Sequence, residues 1–240
     1  MSHIRSLVLV TVVLLLAGCT IPFGTRINGS GPAVTKDFDL AGFTAVATGS
    51  AFQVEITRAE TYSVAVTVNE NLVERLDVSV SGGTLRIYLK PNVGSVGNAT
   101  LKAKVTMPEL NGLDLSGASR TTVTGFNSNM ALNTEVSGAS TLRGDLTCGN
   151  AQLDASGASK VELRGSAYDL KVKASGASTV DLSNFTSRNT VVDASGASHV
   201  SVAASGSLDV EASGASTVRY TGEPAKLKAN TSGASSVSQK

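Results

Sequence analysis

Apolar and polar residues alternate over much of this chain, in short runs that meet at a recurring tetrapeptide. Ser-Gly-Ala-Ser begins at Ser116, Ser137, Ser156, Ser175, Ser195, Ser213 and Ser232, in steps of 21, 19, 19, 20, 18 and 19 residues. Three positions ahead of the first serine stand Leu113, Thr134, Leu153, Val172, Val192, Val210 and Ala229. One position ahead stand Leu115, Val136, Ala155, Ala174, Ala194, Ala212 and Thr231, and between the two files lie Asp114, Glu135, Asp154, Lys173, Asp193, Glu211 and Asn230. A period of two with one apolar face predicts a half-buried strand. Beyond the tetrapeptide, Val161, Val180, Val200, Val218 and Val237 recur at one position, and Leu163, Leu182, Val202 and Tyr220 two residues later. Each unit therefore reads as strand, tight corner, strand, second corner. Units of about 19 residues that cannot bury an apolar face alone predict a stacked solenoid.

The corner has its own physical reason. Glycine reaches backbone angles closed to other residues, and Ala and Ser are small enough to stack on their copies one rung away, about 4.8 Å. The aligned serines are expected to hydrogen-bond to one another as a ladder. Upstream, Thr48-Gly49-Ser50 and Ser81-Gly82-Gly83 read as degenerate corners. Residues 37–108 are therefore expected to form an N-terminal β region of longer rungs or a cap. Residues 109–240 form the repeat solenoid. Asn69 to Asp77 is the one expected helical turn. Residues 19–36, with Pro22, Gly24, Gly29, Gly31 and Pro32, read as a flexible tether.

The N-terminus carries a different pattern. Arg5 precedes an apolar run from Leu7 to Leu16, too short for a bilayer span, and residues 1–18 read as an export signal. Leu16-Ala17-Gly18-Cys19 resembles the lipobox of bacterial lipoproteins. That resemblance implies cleavage before Cys19 and lipidation of its thiol, hence a membrane partner through the lipid anchor. Thr20, where Asp would favour inner-membrane retention in that family, implies the outer membrane.

Composition narrows the function classes. The 20 basic residues meet 19 acidic ones, which excludes a basic nucleic-acid binder. Two cysteines exclude a disulfide framework and a four-cysteine zinc site, and with Cys19 lipidated, Cys148 reads as a small buried hydrophobe. Aromatics are only 4% of the chain, too sparse for a stacking platform.

Asp37-Phe38-Asp39-Leu40-Ala41-Gly42-Phe43-Thr44-Ala45-Val46, then Thr48-Gly49-Ser50, the Ser-Gly-Ala-Ser series and the stretch from Gly214 to Pro224 resemble the head GIN domain family, whose label is an auto-transporter adhesin. The resemblance spans residues 37–240. It implies an all-β, right-handed parallel β-helix-like solenoid, commonly on exported or lipid-anchored chains. It supplies no functional residues to carry over.

Candidate chemistry is thin. No catalytic, cofactor-binding or metal-binding residue is expected, and Cys19 is the single candidate site residue. Polysaccharide lyases on β-helices need clustered carboxylates with a base beside them, and no rung offers that pair. His199 reads as an ordinary member of the outward file Arg120, Thr141, Lys160, Thr179, His199, Thr217 and Ser236. The acidic file around Asp154 reads as a solvated face balanced by Lys173, Arg120, Arg143, Lys160 and Arg219. Tyr168, Phe185 and Tyr220 are expected to plug corners or core. The leading reading is a non-enzymatic, lipid-anchored envelope protein, an adhesion or scaffold module for a cell-surface protein or glycan. Its alternatives are a polysaccharide-acting envelope enzyme and a periplasmic sensor or assembly partner.

Overall fold

The computed structural model describes residues 25–91 and 93–240. The alternating runs stack in parallel as a β-solenoid. Strands running into the corners form one face, termed here the entry face. Ala45–Thr48, Gly112–Leu115, Leu132–Val136 and Asn150–Ala155 are followed by the second halves of Lys160–Ala174, Thr179–Ala194 and His199–Ala212, and the face ends on Lys226–Thr231. Strands leaving the corners form the exit face. Gln53–Arg58, Arg120–Asn127 and Thr141–Thr147 are followed by the first halves of the same three long strands, then by Thr217–Thr221 and Ser236–Gln239. In those three long strands the second corner is a bend within continuous strand, because pairing with the rung below carries on through it.

Register keeps the apolar files stacked. Leu113 lies against Thr134, Thr134 against Leu153, and Leu153 against Val172, all turned inward and buried. Slipping one residue would turn every such file to solvent. Near the corners the interior narrows, and Ala155, Ala174, Ala194 and Ala212 fill it. At the wide N-terminal end Phe43, Phe52, Leu72 and Met107 are fully buried.

From the Ser156 corner onward the backbone ladder runs through each corner unbroken. Ser175 donates its N–H to Ala155 O at 2.9 Å and Ala177 to Gly157 O at 2.8 Å, and the same bonds recur on later rungs. Gly157, Gly176 and Gly196 share φ values of 70°, 71° and 69°. The serines do not build the expected hydroxyl ladder. Ser198, Ser216 and Ser235 donate Oγ–H to the carbonyls of Ala174, Ala194 and Ala212 on the rung below, at 3.3, 3.2 and 2.9 Å. Those carbonyls already accept a backbone N–H, so the serine uses the second lone pair. Among the described residues only Ser119 reaches the hydroxyl of another corner serine, Ser140, at 3.3 Å.

Two further expectations change. Ser81-Gly82-Gly83-Thr84 is no solenoid corner but the turn of an antiparallel hairpin, Leu76–Ser81 against Thr84–Leu89, with both glycines at positive φ. Residues 25–36 do not behave as tether. Thr25–Asn28 pairs with Val93–Gly97, and Ala33–Phe38 pairs antiparallel with Ser63–Asn69, since Val34 and Phe38 have Val68 and Val64 to pack beside. Cys19 and residues 1–18 lie outside the described residues. The expected helical turn is a 3₁₀ helix, Glu70–Arg75, which buries Leu72.

The two ends of the stack differ. The N-terminal end is closed by antiparallel strands, and the edge strand Ala33–Phe38 carries an exposed Lys36 in register with buried Val66. A charge turned toward the core side of an edge strand blocks further strand addition. At the other end every residue of Lys226–Thr231 is exposed.

Candidate functional site

The corner strip, one candidate binding feature, presents little chemistry. In copies such as Ser175–Ser178 the Gly and Ala are exposed, the first serine is half-buried and the last is buried. The last serine's hydroxyl is spent on the fold.

The entry face is chemically richer. Pairing register puts Arg86, Ala47, Asp114, Glu135, Asp154, Lys173, Asp193, Glu211 and Asn230 in one outward file. Of the bases expected to balance these acids, Lys173 stands in the file between Asp154 and Asp193, and the others are elsewhere. Arg120 and Lys160 stand with Gln53, Thr141, Thr179 and His199 in an outward file of the exit face, and Arg143 pairs there with Glu162 at 3.3 Å. A residue after the corner points from a different sheet than a residue before it, so nearness in sequence did not mean nearness on the surface.

The entry face is also hollowed. Ala45, Ala47 and Gly112 leave its N-terminal part without side-chain bulk, and a Cβ on Gly112 would stand 2.9 Å from that of Ala45. The resulting groove holds about 680 Å³, with Thr84 and Arg86 on one side and Asp114, Asn133 and Glu135 on the other. It runs on to a second hollow of about 440 Å³ beside Asn150, Asp169 and Val191, and Asn133 and Gln152 line both. Gln152 donates to Asp154 Oδ2 at 3.4 Å, while Asp154 Oδ1 is buried with no hydrogen-bond partner among the described residues. Asn189 donates to Asp169 at 2.8 Å and accepts from Ser207 at 2.9 Å, a side-chain ladder that stiffens the far margin.

Two tyrosines flank this face. The Arg86 guanidinium lies 5.0 Å from the Tyr88 ring centre. Tyr88 stands over Gly49, where a Cβ would meet the ring at 2.7 Å. Burial, with Asp114 nearby, pushes the Tyr88 hydroxyl pKa up. Tyr168, expected to plug a corner, is 54% exposed, and Arg188 covers its ring at 5.6 Å and donates to its hydroxyl at 3.1 Å. Phe185 and Tyr220 are buried as expected. The groove residues Asn133 and Gln152 were not singled out from sequence. Their signal was the repeat phase: both stand four positions before a corner serine, a file the strand argument treated only as outward.

The thiol and the imidazole are set apart from the groove, whose own titratable lining is the carboxylates Asp114, Glu135 and Asp154. Cys148 is buried in the core, and desolvation pushes its thiol up to about 11, so it stays protonated. His199 is exposed on the exit face, between Thr179 and Thr217. Among the described residues no group of three or more His, Cys, Asp or Glu is placed to hold a metal, and no helix is long and apolar enough to cross a membrane.

Residues 42–224 match the family described as putative auto-transporter adhesin, head GIN domain. The chain belongs to this family. Solved structures share its fold at low sequence identity. A putative adhesin from Bacteroides fragilis is 20% identical, with TM-score 0.84 over 89% of this chain and 100% of that one. A putative lipid binding protein from Parabacteroides distasonis is 22% identical, with TM-score 0.71 over 90% of this chain and 100% of its own. A putative adhesin from Parabacteroides merdae is 15% identical, with TM-score 0.67 over 90% and 99%. Comparison with curated proteins finds no match. As a head GIN domain, the chain is a solenoid that shares its winding with structures in which most side chains differ.

Proposed function

We propose that this head GIN domain protein is a non-enzymatic binding module of the adhesin type, carried on the bacterial cell envelope by a lipid on Cys19. The observation that carries the binding role is the broad entry face, a parallel ladder with two adjoining hollows that share Asn133 and Gln152. Such a face presents fixed hydrogen-bonding groups over several rungs, which suits recognition of an extended partner. Thiol or imidazole catalysis at the groove is disfavoured, since the thiol is buried and the imidazole lies on the opposite face. The family's adhesin label and the names of its structural relatives support the same reading. The anchor rests on Leu16-Ala17-Gly18-Cys19 following the apolar run, with the outer membrane as destination. Several acyl chains on one residue hold a protein to a bilayer firmly, at about 0.8 kcal/mol per buried methylene.

The test is membrane partition. Wild type is expected in the membrane fraction and Cys19→Ala in the soluble fraction, with a mass difference equal to the lost acyl groups. Wild-type protein found soluble and unacylated would remove the anchor while leaving the binding module to be judged on its own.

A further inference from the structure

We infer that the entry-face groove between the two arginine-backed tyrosines binds a neutral, hydroxyl-rich glycan chain lying diagonally across the rungs. The inference rests on reading the solenoid as a binding module, and it names the ligand class of that module.

The length and course of the groove come first. The hollow beside Arg86 and the hollow beside Asp169 are continuous through Asn133 and Gln152. From the strand Thr84–Leu89 to the second half of Lys160–Ala174 there are five inter-strand steps, roughly 24 Å at about 4.8 Å each. One step is close to the width of a pyranose ring, so successive sugars meet successive rungs.

The lining chemistry comes second. Carboxamides both donate and accept, and carboxylates accept, which is what sugar hydroxyls require. Asn133 and Gln152 stand side by side on neighbouring rungs at the centre of the groove. The buried, unpartnered Asp154 Oδ1 beside them is an acceptor that the protein itself leaves unsatisfied. Such an atom costs free energy unless something donates to it, and a ligand hydroxyl would.

The aromatic ends come third. The chain has four tyrosines; Tyr62 packs on Phe43 and Tyr220 is buried. The other two lie at opposite margins of this one face, each with a guanidinium over its ring. An arginine stacked on one side of a ring fixes its orientation and leaves the other side for the C–H face of a sugar.

Charge decides the kind of glycan. Asp114, Glu135 and Asp154 follow one another on adjacent rungs, with Arg86 as the base of that hollow. Three successive carboxylates repel uronate and sulfate groups, so a neutral chain is selected over an acidic one.

The test uses the purified full-length protein in detergent, applied to immobilised mannan, galactomannan, xyloglucan and β-1,3-glucan, with polygalacturonate and alginate as acidic counterparts. Retention on at least one neutral polysaccharide is expected. Gln152→Ala and Tyr168→Ala, both at exposed positions, should weaken it about tenfold each while melting as wild type. His199→Ala on the exit face should leave it unchanged. Retention on none of the neutral polymers, preference for the acidic ones, or equal loss in His199→Ala overturns the inference. Reducing ends are measured in the same samples. Their release would overturn the non-enzymatic reading while leaving the glycan groove standing. Failure of all neutral polymers with no released ends would remove the glycan and leave the module's role open to a protein partner.

Discussion

At the scale of single residues, the corner glycines carry the strongest constraint. Gly176 sits at φ +71°, and a Cβ there would stand 2.6 Å from the carbonyl oxygen of Gly157. That oxygen accepts the Ala177 N–H at 2.8 Å, so it cannot retreat without breaking the ladder. Gly176→Val therefore combines backbone strain with a clash against fixed backbone, and the loss of stability should be about 3 kcal/mol or more. Gly42, at φ +75° with nothing within 4 Å of its missing Cβ, separates the two effects. Gly42→Ala should cost about 1 kcal/mol, from strain alone. Denaturant unfolding of both variants checks this, and equal effects would show that packing at the corner contributes nothing. The need for glycine at each corner was legible in the repeat. The serine's partner was not, because a carbonyl on the rung below is fixed only once the rungs are stacked.

At the scale of elements, the outward file of the entry face sets like charges beside one another. Asp114 and Glu135 are register neighbours on adjacent strands, flanked in register by Ala47 and Asp154 and by no base. Like charges directly opposite in a sheet are destabilising by roughly 0.2–1 kcal/mol. Asp114→Asn combined with Glu135→Gln should raise the melting temperature slightly at low salt, with the gain fading as salt screens the repulsion. Millimolar calcium should not stabilise the wild type, because single carboxylates one rung apart lack the six to eight oxygens that the ion prefers. A calcium-dependent rise in wild type that the double variant lacks would point instead to a cation-bridged strip.

At the scale of the whole molecule, a solenoid is stabilised rung by rung through nearest neighbours. The central rungs have partners on both sides, and the three strands from Lys160 to Ala212 run unbroken through the second corner. The strand Lys226–Thr231 is exposed along its whole length, and Leu227 is 49% exposed. Amide hydrogen exchange should therefore be slowest between Val161 and Val210 and fastest in Lys226–Gln239, with the N-terminal end intermediate where antiparallel strands close it. Uniform protection along the axis would mean that the stack opens as one unit.

The sequence by itself determined the all-β class, the period of the rungs, the inward files and the corners, because each follows from the two-residue period of a strand and from which residues a tight turn admits. Residues 42–224 are recognisable as a head GIN domain on those same repeats. Tertiary structure alone decided what the outward residues do. Arg120 and Arg143 lie within a few residues of the acidic file in the chain, yet the corner between them turns the surface onto another sheet. The hairpin at Gly82 and Gly83 shares corner composition, but Leu76–Ser81 has the next strand beside it and turns back rather than onward. Asn133 and Gln152 come to line one groove only because parallel register adds a rung at every turn, placing side by side positions that the chain holds about nineteen residues apart. Strand periodicity is local physics and can be read along the chain; adjacency across a stack of rungs depends on the length and direction of every intervening turn.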